Sequence, residues 1–125
     1  MALTPLTALS PLDGRYHNKL TALSEIFSEL GLIRYRVLVE IAWLKALAAD
    51  PNVPEVAPFS PVTRARMDDV VASFSQADGE AVKSIEQKIN HDVKAIEYFL
   101  KEKQIGISIS ESDNLEELGY NVAHI

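Results

Sequence analysis

Cysteine is absent from this sequence, which removes disulfides and thiolate metal sites from consideration and is compatible with a reducing compartment. Basic residues are the minority, twelve against eighteen acidic, and they are scattered. The resulting net charge of −6 argues against a nucleic-acid partner, because phosphate neutralisation needs clustered Lys and Arg. No apolar run approaches the length of a bilayer span. The opening stretch MALTPLTALSPLDG has no basic side chain before Arg15 and is interrupted by Pro5 and Pro11, unlike a signal peptide. There is no Gly-rich phosphate loop, nucleophile elbow or paired-carboxylate motif. Internal repeats and low-complexity tracts are also lacking. What these absences leave is a cytoplasmic, mostly α chain of one-domain size, with no membrane partner.

The residues that are present fall into helical spacing. Residues 1–17 form an irregular arm, marked by Pro5, Ser10, Pro11, Asp13 and Gly14. A helix is expected from about Asn18 or Lys19, carrying Leu20, Leu23, Ile26, Phe27 and Leu30, with Gly31 as its stop or kink. From Leu32 to Ala49, Ile33, Val37, Ile41, Leu44 and Ala48 step by threes and fours. Leu38, Val39, Trp43 and Leu47 widen that arc, so the helix expects burial on most sides or a large exposed apolar patch. Arg36 and Glu40 are spaced to pair at i,i+4. Three prolines predict an extended segment over residues 50–59.

Ser60-Pro61 reads as an N-cap with proline at the first helical position, opening a helix to about Phe74. Ser75 and Asp78 resemble a capping box for a further helix through Ile89, and the stripe resumes after Asn90 to about Lys103. The tail, residues 104–125, changes character. IGISIS alternates as a short strand or extended arm would, and Ser112 or Asp113 is placed to cap a brief turn around Leu115 to Leu118.

Two polar constellations stand out. In Ser10-Pro-Leu-Asp-Gly-Arg-Tyr16, a tight turn accounts for the residues: proline sets one dihedral, Gly14 supplies a positive φ, and Asp13 bonds its own backbone. Such a turn also suits Arg15 and Tyr16 to a phosphate or carboxylate, which a guanidinium binds bidentately. In Asn90-His91-Asp92, Asn90 is a favoured N-cap and Asp92 suits the first turn. The same helix end offers backbone N–H groups to an anion, with His91 as a donor or proton shuttle and Asp92 fixing its tautomer or meeting ligand hydroxyls. Taken singly, each is more simply a turn or a cap than a site. His17 and His124 suggest no metal.

Taken together, LTALSPLDGRY, IFSELGLIRYRVLVEIAWLKAL and NHDVKAIEYFLKEK occur in an order and spacing that resemble the N-terminal region of bacterial adenylosuccinate lyases, in the fumarase/aspartase superfamily. The resemblance covers roughly residues 3–103. It implies a mainly α fold: an irregular arm (1–17), a helical N-terminal lyase domain (18–103) and a poorly matched, extended tail (104–125) that stops before the family's central helical domain. It implies elimination of fumarate from adenylosuccinate and from the succinylated carboxamide ribotide of purine synthesis, by a homotetramer needing no metal or organic cofactor. Arg15 and Tyr16 match residues that hold the nucleotide phosphate. Asn90, His91 and Asp92 match a substrate-lining triplet, with His91 in a supporting part in acid catalysis. Lys88-Ile89 stands where the family commonly has Thr-Thr, and LEELGYNVAHI stands where it approaches a Thr-Ser signature. The implied reading is an N-terminal fragment without the base or the main acid, inactive alone. The alternative is a stand-alone helical nucleotide-binding or protein-interaction module without catalysis.

Overall fold

A computed structural model describes residues 2–103 and 105; the expected IGISIS strand, except for its first residue, and the brief turn after Ser112 lie outside them. The described residues are helical and contain no strand: α1 (Thr21–Phe27), α2 (Glu29–Ala49), α3 (Pro61–Ala72), α4 (Gln76–Ile89) and α5 (Asp92–Glu102), with one 3₁₀ turn at His17–Lys19. Among these residues no helix is long and apolar enough to cross a membrane. The chain divides into two compact units, Met1–Leu32 and Ile33–Ile125.

In the first unit the helix break falls at Ser28, not at Gly31. Ser28 is extended (φ −69°, ψ 165°), and its Oγ accepts from the Gly31 backbone N–H at 3.1 Å, capping α2. Gly31 is needed for another reason than a stop. A Cβ there would lie 2.5 Å from the Ile26 carbonyl oxygen and 2.7 Å from that of Glu25. Glycine therefore permits the first turn of α2 to follow directly on the end of α1.

The second unit holds the main core. Ile33, Val37 and Ile41 of α2 pack with Met67 of α3, Val82 of α4, Ala95, Ile96, Phe99 and Leu100 of α5, and Ile105. Phe74 meets Phe99 edge-on, with centroids 5.7 Å apart. Helices α4 and α5 are strongly amphipathic and pack against each other as neighbours. Residues on the other arc of α2 remain open, Val39 at 62% and Trp43 at 46% exposure, as the breadth of its apolar arc implies.

Local chemistry sets the boundaries. Ser60 Oγ accepts from the Thr63 N–H at 3.2 Å, with Pro61 at the first helical position. Ser75 and Asp78 form the reciprocal capping box of α4. Residues 50–59 are not simply extended, because Asp50 Oδ1 accepts from the Asn52 N–H at 2.8 Å and folds the start into a turn. That turn brings Val56 onto Leu47 and Ala48, a small second cluster.

Candidate functional site

The α4–α5 junction is built by two adjacent residues with opposite tasks. Asn90 ends α4 in the left-handed conformation, φ 55° and ψ 38°, and is the sole non-glycine residue with positive φ among those described. Asparagine tolerates this region better than most side chains. His91 then turns extended (φ −148°, ψ 113°) and caps α5, its Nδ1 accepting from the Lys94 N–H at 3.0 Å. The expected N-cap, Asn90, is thus the C-cap of the preceding helix, and the imidazole takes the N-cap role. The shift of one residue follows from the left-handed turn, which ends one helix before the next can begin.

This arrangement fixes the histidine chemically. An Nδ1 that accepts a hydrogen bond carries no proton, so the neutral ring holds its proton on Nε2. His91 is exposed, and its Nε2–H is directed away from the cap as a donor.

Asp92 is held from two sides. Its Oδ1 accepts from the Val93 N–H at 2.8 Å, and its Oδ2 pairs with Arg36 Nη2 of α2 at 3.2 Å. Arg36 therefore reaches across to α5 instead of closing the expected i,i+4 pair with Glu40. Both side chains are partly open, at 35% and 50%, so the pair adds no more than about 1 kcal/mol to stability. Its effect at the junction is to set a positive charge beside the Asp92 carboxylate.

The first turn of α5 also differs from an open anion cradle. The N–H groups of Val93 and Lys94 are occupied by Asp92 and His91. What the junction presents outward is side-chain chemistry: the Asn90 amide, the His91 Nε2–H and the remaining lone pairs of Asp92.

Behind the junction lies a charged seam between α2 and α5. Lys94 Nζ stands 2.8 Å from Glu97 Oε2, a buried oxygen on which the ammonium is not aligned as a hydrogen-bond donor, so the contact is Coulombic. Burial, and secondarily the charge of Glu97, pushes the Glu40 carboxyl above its ordinary value.

In the first unit, the Ser10–Tyr16 turn is closed by backbone bonds: Gly14 N–H to the Ser10 carbonyl at 3.1 Å and Tyr16 N–H to the Pro11 carbonyl at 3.0 Å. No described glycine has positive φ, so the expected role of Gly14 is corrected. A Cβ at Gly14 would lie 2.6 Å from the Pro5 carbonyl oxygen, and close approach is what requires it. The expected Asp13 side-chain bond gives way to the Asp13 N–H donating to the Ser10 carbonyl at 3.2 Å. Arg15 and Tyr16 are both exposed, with the guanidinium 4.8 Å from the ring centroid. Stacking pre-orders the fork at little cost to its donors. No group of three potential metal ligands occurs among the described residues.

The residue that spacing did not reveal is Arg36. Its partner Asp92 is distant in sequence, and the nearer Glu40 offered a plausible local alternative.

No family model matches the chain. It is 56% identical over 103 residues to the adenylosuccinate lyase of Haemophilus influenzae and 53% identical over 103 residues to that of Escherichia coli K12, covering 82% of this chain in each case. The adenylosuccinate lyase of Buchnera aphidicola from Acyrthosiphon pisum is 41% identical over 115 residues, or 92% of the chain. The chain matches 23% to 24% of the length of these relatives. By this similarity the chain is a relative of the N-terminal region of the adenylosuccinate lyases.

Proposed function

We propose that these residues are the N-terminal segment of a carbon–nitrogen lyase that eliminates fumarate from adenylosuccinate to give AMP, and from the succinylated carboxamide ribotide. Identity above 50% over 103 residues to proteins named adenylosuccinate lyase carries this reading. The division into arm (1–17), helical lyase domain (18–103) and tail (104–125) belongs to the same proposal, as does a homotetrameric, cytoplasmic parent.

β-Elimination needs a base to remove the proton next to a carboxylate and an acid to protonate the departing nitrogen. It also needs donors for a phosphate and carboxylates. In the proposed assignment, Arg15 and Tyr16 hold the phosphate, while Asn90, His91 and Asp92 contact the substrate. His91 acts through Nε2–H, the one ring position not spent on the cap. It donates to the substrate and supports, without replacing, the main acid. The 125 residues alone are proposed to be inactive.

The test is fumarate release from adenylosuccinate by the full-length polypeptide carrying this segment, beside the 125-residue chain. Turnover by the former alone is expected. Arg15→Ala is expected to raise KM roughly tenfold to a hundredfold, the scale of a lost charge-assisted hydrogen bond. Absence of fumarate release contradicts the function; unchanged kinetics in Arg15→Ala contradicts that residue's assignment.

A further inference from the structure

We propose that Arg36 is a positioning residue for the α4–α5 junction, acting through Asp92 to let an anionic substrate approach His91. This rests on the assignment of Asn90–Asp92 to substrate binding. The motivating geometry is the two-sided hold on one carboxylate: Oδ2 on Arg36 at 3.2 Å, Oδ1 on the Val93 N–H at 2.8 Å.

Asp92 poses a problem for any anionic ligand at this place. Its negative charge sits one residue from the His91 donor, at a helix end whose positive field it already consumes. A substrate bearing phosphate and carboxylates meets repulsion there unless the charge is offset. Arg36 supplies that offset from a different helix. Because the guanidinium remains ionised, it offsets the charge of the carboxylate and draws Oδ2 toward α2. With Oδ2 drawn to α2, Oδ1 stays on the Val93 N–H, and the first turn of α5 keeps its shape around the His91 cap. In the same seam Lys94 pairs with Glu97, and Arg36 pairs with Asp92.

Kinetics of the full-length polypeptide and amide exchange of the 125-residue chain test this together. Arg36→Met is expected to raise KM by about tenfold or more while kcat changes less, since the loss falls on admitting the substrate and not on the chemical step. Arg36→Lys, which keeps the charge, is expected to recover most of that loss. In a cycle with Asp92→Asn, the effects are expected to be non-additive, because Arg36 acts only through that carboxylate. In the 125-residue chain, Arg36→Met is expected to speed exchange of the Val93 amide and leave the Ile96 and Phe99 amides unchanged. Additive effects, an Arg36→Lys variant as impaired as Arg36→Met, or an unaltered Val93 amide each overturn the proposal. The exchange measurement needs no turnover. Failure of the lyase assignment, seen as no fumarate release, is therefore distinct from failure of the role of Arg36.

Discussion

The Lys94 backbone N–H donates to Nδ1 of His91 at 3.0 Å, so one ring nitrogen holds the helix and leaves the other to face outward. In the proposed assignment, structural and chemical roles thus reside in separate atoms of one side chain. That separation makes the two roles experimentally divisible.

His91→Ala removes the cap and is expected to destabilise the chain by about 1 kcal/mol, the usual cost of losing an N-cap. His91→Asp replaces the imidazole acceptor with a favoured capping oxygen and is expected to restore most of that loss. Urea denaturation of the three proteins, followed by circular dichroism, checks the order.

Asn90 is under a backbone constraint. At φ 55°, Asn90→Gly is expected to be nearly neutral for stability, whereas Asn90→Ala should cost on the order of 1 kcal/mol. Both remove the amide, so both are expected to weaken substrate binding in the full-length polypeptide. Equal stability of the Ala and Gly variants in thermal melts contradicts the left-handed assignment.

Acid sensitivity is expected at the other end of the helix pair. The Lys103 ammonium, 2.8 Å from Asp78, holds that carboxyl below its ordinary value of 3.8, with Ser75 hydrogen bonds assisting against a smaller effect of burial. The folded state therefore binds the proton less readily than the unfolded chain. The contribution is fully present above the ordinary carboxylate range and is lost as pH falls through the lowered value. Asp78→Asn is expected to flatten the acid limb of stability measured against pH.

Glu40 has the opposite sign. Burial, followed by the charge of Glu97, raises its carboxyl above 4.5, so ionisation on α2 is disfavoured in the folded state. Its favourable contribution is complete below the ordinary value and is lost as pH rises through the raised one. Glu40→Gln is expected to stabilise the chain at neutral pH and to lose that advantage near pH 4, in denaturant titrations at the two pH values.

Short-range features were legible in the sequence wherever local chemistry decides the structure. The Ser60-Pro61 start and the Ser75/Asp78 box need only their own turn, and the buried stripe Ile33, Val37, Ile41 needs only helical spacing. Gly31 misled because its close approach to the Ile26 carbonyl looks, in sequence, like a helix stop. Asn90 misled because one residue type serves both as an N-cap and in the left-handed region. Arg36 was beyond reach, since an ion pair between α2 and α5 depends on packing that no local pattern encodes. The candidate site was legible as a triplet and a turn; the division of labour inside the triplet was not.

The most direct measurement compares His91→Asp with the unmodified protein in the full-length polypeptide, recording fumarate release beside unfolding free energy. The account predicts near-normal stability with turnover reduced by roughly a hundredfold, the scale of a lost proton-transfer or donor group. Normal turnover with normal stability would show that the cap is the whole function of His91 and would contradict the proposed site.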